Sequence, residues 1–105
     1  MVISNVSVDA KANVYFEGRV ISHTVTVEDG SRKTVGVILP GTYHFGTAEA
    51  EQMEIVEGVT EVLLDGSEKA ERYVSGGTFL VPSNSGFTVT VKSEPCHYIC
   101  SFLKA

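Results

Sequence analysis

No stretch of the 105-residue chain approaches the roughly 18 consecutive apolar residues that a membrane-spanning helix requires. Met1 to Asn5 lack both the charged start and the long apolar stretch of a secretory signal, so the cytoplasm is the expected location. Basic residues are scarce: 8 Lys and Arg stand against 13 Asp and Glu, for a net charge of −5. A protein that grips a nucleic-acid backbone replaces counterions with Lys and Arg. Here Arg32-Lys33 is the only adjacent basic pair, and Asp29 lies just before it. Neither nucleic acid nor membrane is therefore an expected partner, although a local group of donors could hold a small anion.

Cysteine is nearly as scarce. Cys96 and Cys100 sit in Cys96-His97-Tyr98-Ile99-Cys100, which reads as a strand. At a rise of ~3.3 Å per residue their Cα atoms lie ~13 Å apart, beyond the ~7 Å reach of a disulfide. They read as two small buried apolar side chains. The i, i+3, i+4, i+7 pattern of an amphipathic helix is missing as well.

What recurs is short β-branched or aromatic runs punctuated by Gly, Pro, Asp and Asn. Residues 1–13 form a poorly patterned lead-in, and residues 14–105 a single domain. Strands are expected at Tyr15 to Ile21 and His23 to Val27. The Asp29-Gly30 turn suits a tight hairpin into Lys33 to Leu39. Thr42 to Thr47, Met53 to Val56, Val59 to Leu64, Arg72 to Val74, Thr78 to Val81, Phe87 to Val91 and Cys96 to Leu103 follow. Short strands with turn signals at this spacing make an all-β sandwich or closed barrel. With 43% apolar and 20% charged residues the composition is globular. A domain this small often gains stability from a second subunit, which makes a homodimer plausible.

Two stretches go beyond generic β structure. Glu51, six residues and Gly58 resemble the close of the first cupin motif; Gly76, five residues and Pro82 resemble the start of the second. The resemblance implies a cupin-type jelly-roll barrel. Metal-binding cupins place a His-x-His pair three or four residues before that Glu. Here the two registers give Phe45 with Thr47, or His44 with Gly46, and the second-motif histidine falls near Phe87. Most of the ligands a transition metal prefers are thus absent. A site gathered from His23, His44 and His97 on different strands is the remaining metal option.

A closer resemblance runs from about Tyr15 to Leu103. Tyr15-Phe16-x-Gly18, Val35-Gly36-Val37, Pro40-Gly41-x-Tyr43-x-Phe45-x-Thr47, Glu51-x-Met53 and Tyr98-x-Cys100 are similar to the small pyrimidine/purine nucleoside phosphorylase family of single-domain cupins. Ser101 departs from it, since some relatives are expected to carry a basic residue there. The resemblance implies phosphorolysis of purine and pyrimidine nucleosides to free base and pentose 1-phosphate, with broad base range and no metal or other cofactor. A non-catalytic small-ligand-binding cupin and a metal-dependent cupin enzyme are the alternatives.

The chemistry sets the candidate residues. Breaking an N-glycosidic bond builds positive character on the sugar, as in glycoside hydrolysis, and bound phosphate is itself the nucleophile. The site needs phosphate donors, an acceptor for sugar hydroxyls and a flat apolar surface for the base. Tyr43, Phe45 and Thr47 share one strand face: the rings could stack a base and the hydroxyl could bond phosphate or sugar, or all three could be core. Glu51 is the candidate catalytic carboxylate, with Met53 on the same side; otherwise it is a surface Glu beside Glu49 and Glu54. Phe87 and Tyr98 could line the barrel from later strands. Arg19 and Arg72 are the candidate phosphate donors, because the guanidinium fork suits phosphate, although both are also ordinary surface charges.

Overall fold

The structure is a computed structural model that describes residues 1–103, so the last two residues of the expected 14–105 range lie outside the described residues. The described chain is all-β, in eleven strands: β1 (Ser7–Val8), β2 (Asn13–Tyr15), β3 (Val20–Thr26), β4 (Arg32–Ile38), β5 (Gly41–Gly46), β6 (Ala50–Glu57), β7 (Val59–Leu64), β8 (Glu71–Val74), β9 (Thr78–Val81), β10 (Gly86–Val91) and β11 (Cys96–Leu103). One 3₁₀ turn, Phe16–Gly18, interrupts them.

The strands pair into two sheets. A seven-stranded sheet runs β1-β3-β4-β11-β6-β9, with β2 also on β3, and a four-stranded sheet runs β5-β10-β7-β8. The closed barrel expected from the turn spacing is not formed by this pairing; each sheet keeps its own edges among the described residues. The reason lies in the connections. From β4 onward the chain passes repeatedly between sheets, at Pro40, Gly58 and Gly76-Gly77, so successive strands often lie in opposite layers rather than side by side. At the β8–β9 crossing, Ile55 N–H donates to Gly77 O (2.9 Å) and Gly76 N–H to Ile55 O (2.8 Å), tying the crossing to β6.

Both layers contribute to one core. Val20, Ile38, Met53, Ile55, Phe79 and Cys96 come from the larger sheet; Tyr43, Val62, Phe87 and Val89 come from the smaller. Alternation places these side chains inward and their neighbours outward. Burying this apolar surface drives the two sheets together.

Local departures from the sequence expectations have physical causes. The first strand expected at Tyr15 to Ile21 is broken, because Phe16, Glu17 and Gly18 all take positive φ (52°, 57° and 92°) and turn the chain back. As a result β2 folds against β3, with Tyr15 opposite Val20. The lead-in is also more ordered than its pattern implied: Ser7 and Val8 pair with Thr26 and Val25 of β3. Gly36 is required by a close approach, since a Cβ there would meet Ile21 O at 2.6 Å and Tyr98 Cε1 at 3.0 Å.

Candidate functional site

The inner face of the larger sheet is set by register. On β11, Tyr98, Cys100 and Phe102 point one way. Cys100 lies opposite Thr34 of β4 and Met53 of β6, and Phe102 lies opposite Glu51. From the facing sheet come Phe45 of β5 and Phe87 of β10, which are direct cross-strand partners. Between the layers these residues line a cavity of about 600 Å³, within the ~300–1,000 Å³ range of small-molecule sites.

Its wall is aromatic. Phe45 and Phe87 stack with centroids 5.6 Å apart and planes 27° from parallel. Phe16 meets Phe45 edge-on at 5.5 Å, and Tyr15 does so at 6.2 Å. The 3₁₀ turn therefore folds Phe16 over the cavity, and both Tyr15 and Phe16 remain exposed at its mouth.

Glu51 is the one carboxylate among the lining residues. The Cys100 Sγ–H donates to its Oε1 at 3.4 Å. Burial pushes the Glu51 pKa above its ordinary 4.5, the Cys100 hydrogen bond holds it back, and Glu49 adds to the rise. Burial and the Glu51 charge together push the Cys100 thiol far up. Burial raises Tyr98 to about 12, against a lowering contact with Ser22. At neutral pH the thiol and the phenol thus keep their protons; the thiol is hydrogen-bonded to Glu51 and the phenol to Ser22. His44 reaches the cavity from the other side and is held by Asp65 at 3.0 Å.

Of the residues expected from sequence, Phe45, Glu51, Met53, Phe87 and Tyr98 come together in this cavity. Tyr43 and Thr47 do not line it. Tyr43 is buried in the core, its hydroxyl directed at Leu39 O (2.9 Å) and Pro40 O (3.0 Å). The Thr47 hydroxyl donates to Pro82 O at 2.6 Å and accepts from Ser85 N–H at 3.0 Å, joining the end of β5 to the β9–β10 turn. Arg19 is exposed beside the 3₁₀ turn, away from the lining. Arg72 lines a separate cleft with Thr60, Glu61 and Lys92.

Sequence reasoning missed Cys100, Phe102, Ser22 and Thr34. The signal for the first two was available, because Tyr98-x-Cys100-x-Phe102 alternates. Ser22 and Thr34 become inward-facing only through β3–β4–β11 register. The three histidines are not gathered: His23 Nδ1 lies 3.1 Å from Asp9 O, His44 is on Asp65, and His97 is on the opposite face of β11 from Tyr98. Among the described residues no three His, Cys, Asp or Glu side chains are grouped to hold a metal ion.

Comparison with known proteins gives a consistent result. A family model described as pyrimidine/purine nucleoside phosphorylase matches residues 10–102. A protein of that name from Methylococcus capsulatus is 54% identical over 98 residues, covering 93% of this chain and 94% of its own. Another from Citrifermentans bemidjiense is 52% identical over 100 residues, covering 95% and 96%. The crystal structure of a protein of unknown function from an Acinetobacter species superposes with a TM-score of 0.93 at 42% identity, covering 96% of this chain and 97% of that one.

Proposed function

The chain belongs to the pyrimidine/purine nucleoside phosphorylase family, and from that premise we propose that it cleaves purine and pyrimidine nucleosides with phosphate in the Glu51 cavity, without a metal, on a cupin-type jelly-roll frame. The observation that carries this reading is the joining of one partly buried carboxylate, Glu51, with the stacked pair Phe45 and Phe87 in a single cavity.

The base lies against the Phe45 and Phe87 rings. Stacking accepts any base, because every base has a π face, and this supports a broad range. The Glu51 carboxylate accepts hydrogen bonds from the sugar hydroxyls and opposes the positive charge that grows on the ring. A phosphate oxygen forms a bond to C1′ as the C1′–N bond breaks. The electron pair leaves with the base nitrogen, and the proton of hydrogen phosphate passes to the base. The products are free base and pentose 1-phosphate, with atoms and charge in balance. No side chain has to become a nucleophile, and the scattered histidines support a metal-free reaction.

Location in the cytoplasm and assembly as a homodimer complete the proposal. The exposed Val14, Tyr15 and Phe16 beside the mouth support a second copy there, and light scattering on the purified protein reads the mass directly.

The deciding assay incubates the protein, made in a host lacking phosphorylases, with uridine and with inosine, with and without phosphate. Phosphate-dependent release of base together with ribose 1-phosphate is the expected result. Absence of release from several nucleosides overturns the reading, and release without phosphate assigns a hydrolase instead.

A further inference from the structure

Phosphorolysis brings a dianion into a cavity whose lining holds Glu51 and, among the described residues, no lysine or arginine. A phosphate dianion beside a carboxylate needs a cation to offset the repulsion. Neither arginine singled out from the sequence supplies it from the lining.

The register shows where one is available. Thr34 of β4 lines the cavity, and Arg32, two residues before it, shares its face. Ser101 of β11 lies opposite Lys33, so Phe102 falls beside Arg32; Phe102 in turn lies opposite Glu51 of β6. Arg32, Phe102 and Glu51 thus form one lateral row across three strands. Neighbouring strands are ~4.8 Å apart, so the backbones of Arg32 and Glu51 are separated by ~10 Å. Phe102 is the middle member of the row, and the Arg32 Cζ stands 5.7 Å from the centroid of its ring.

Arg32 is only loosely engaged. Among the described residues its one ion pair is to Glu49 at 3.9 Å, between side chains that are 59% and 52% exposed, and exposed pairs of this kind are weak. Its neighbour Lys33 is committed elsewhere, donating to Ser101 Oγ at 2.8 Å.

We infer that Arg32 is the phosphate-binding residue, seating inorganic phosphate over the Phe102 ring between its guanidinium and the sugar held by Glu51. This rests on the phosphorylase reading above. The planar fork bonds two phosphate oxygens at once and fixes the anion's orientation, which a lysine at the same place does not. Glu49 acts as a placeholder that phosphate displaces.

Steady-state kinetics with phosphate and uridine varied separately test the assignment. Arg32→Ala raises the phosphate KM by about 10- to 100-fold, the span set by a hydrogen bond to a charged group, while the uridine KM stays within about twofold of the parent. Arg32→Lys falls between. Glu49→Gln frees the guanidinium and lowers the phosphate KM by up to about fivefold, a gain that misfolding does not produce. A phosphate KM unchanged in Arg32→Ala overturns the inference. Inorganic phosphate alone provides the arm independent of turnover: it raises the Tm of the parent and leaves that of Arg32→Ala unmoved. If the parent releases no base yet shows that shift, the phosphorylase reading falls and the Arg32 anion site stands; equal shifts in both proteins sink the site.

Discussion

A carboxylate partly withdrawn from water loses free energy unless hydrogen bonds replace its hydration. Glu51 has the Cys100 thiol as a donor and Glu49 as a repelling neighbour, and the net result is a raised pKa. The proposed role of Glu51 needs the charged form, so kcat/KM for uridine should fall as pH drops through an inflection above the ordinary 4.5. Glu51→Gln should remove that inflection and lower kcat/KM by about 100-fold or more. The stability consequence has the opposite sense. Because the folded pKa exceeds the unfolded one, the native state binds more protons between the two values, and stability falls as pH rises through that window. Urea titrations of the parent and of Glu51→Gln across that window should show this decline in the parent alone.

Thr47 gives a second test at the same scale. Its hydroxyl bridges Pro82 O and Ser85 N–H rather than facing the cavity. Thr47→Val leaves both partners short of a bond, at a cost of about 1–3 kcal/mol. For a domain of this size each kcal/mol is worth ~4–8 °C in Tm. The variant should melt lower with its nucleoside KM unchanged; a raised KM at normal Tm would return Thr47 to the substrate.

At the scale of elements, the aromatic pair proposed to hold the base is a product of strand pairing. Phe45 and Phe87 are opposite one another on β5 and β10, so their stacking is fixed by the ladder. Phe45→Leu should raise the KM for uridine and for inosine alike, by roughly 5- to 150-fold given ~1–3 kcal/mol per stacked base. Phe87 is fully buried, so Phe87→Ala costs about 3–5 kcal/mol of stability and is a poorer probe of binding. Much of this platform was legible in the sequence, because alternation along one strand is a local property. It put Tyr43 and Phe45 on one face, and both pack into the same core cluster. It could not tell that the end of β5 meets the β9–β10 turn, which converts the Thr47 hydroxyl into a strut. The same limit applies to Tyr15 to Ile21, where a β-rich run hides three successive positive-φ residues.

Across the whole molecule, the site exists only where the two sheets face one another. The larger sheet supplies Glu51 and Cys100, with Arg32 by inference, and the smaller supplies Phe45 and Phe87. Loss of the inter-sheet core should therefore abolish turnover and native fluorescence together, with coincident thermal midpoints. Arg19, on the expected first strand, and Arg72, before Gly76-Gly77, stand outside the cavity lining, whereas the row Arg32–Phe102–Glu51 joins three strands 19 positions or more apart in the chain. All-β class and most strand positions are local and were readable. Which strands pair, and hence that two layers form instead of one ring, depends on contacts that no window of sequence contains.

The hydrogen bond from Cys100 to Glu51 has a bearing on chemical wear. Thiols are alkylated and oxidised as thiolates, and this one is kept protonated first by its burial and then by the carboxylate it donates to. Iodoacetamide or hydrogen peroxide at neutral pH should leave turnover intact over times that inactivate enzymes with exposed low-pKa cysteines. Mass spectrometry of the treated protein should find Cys100 unmodified. Any oxidative loss of turnover would then be traced to a side chain other than Cys100, Met53 of the cavity lining being the first to inspect.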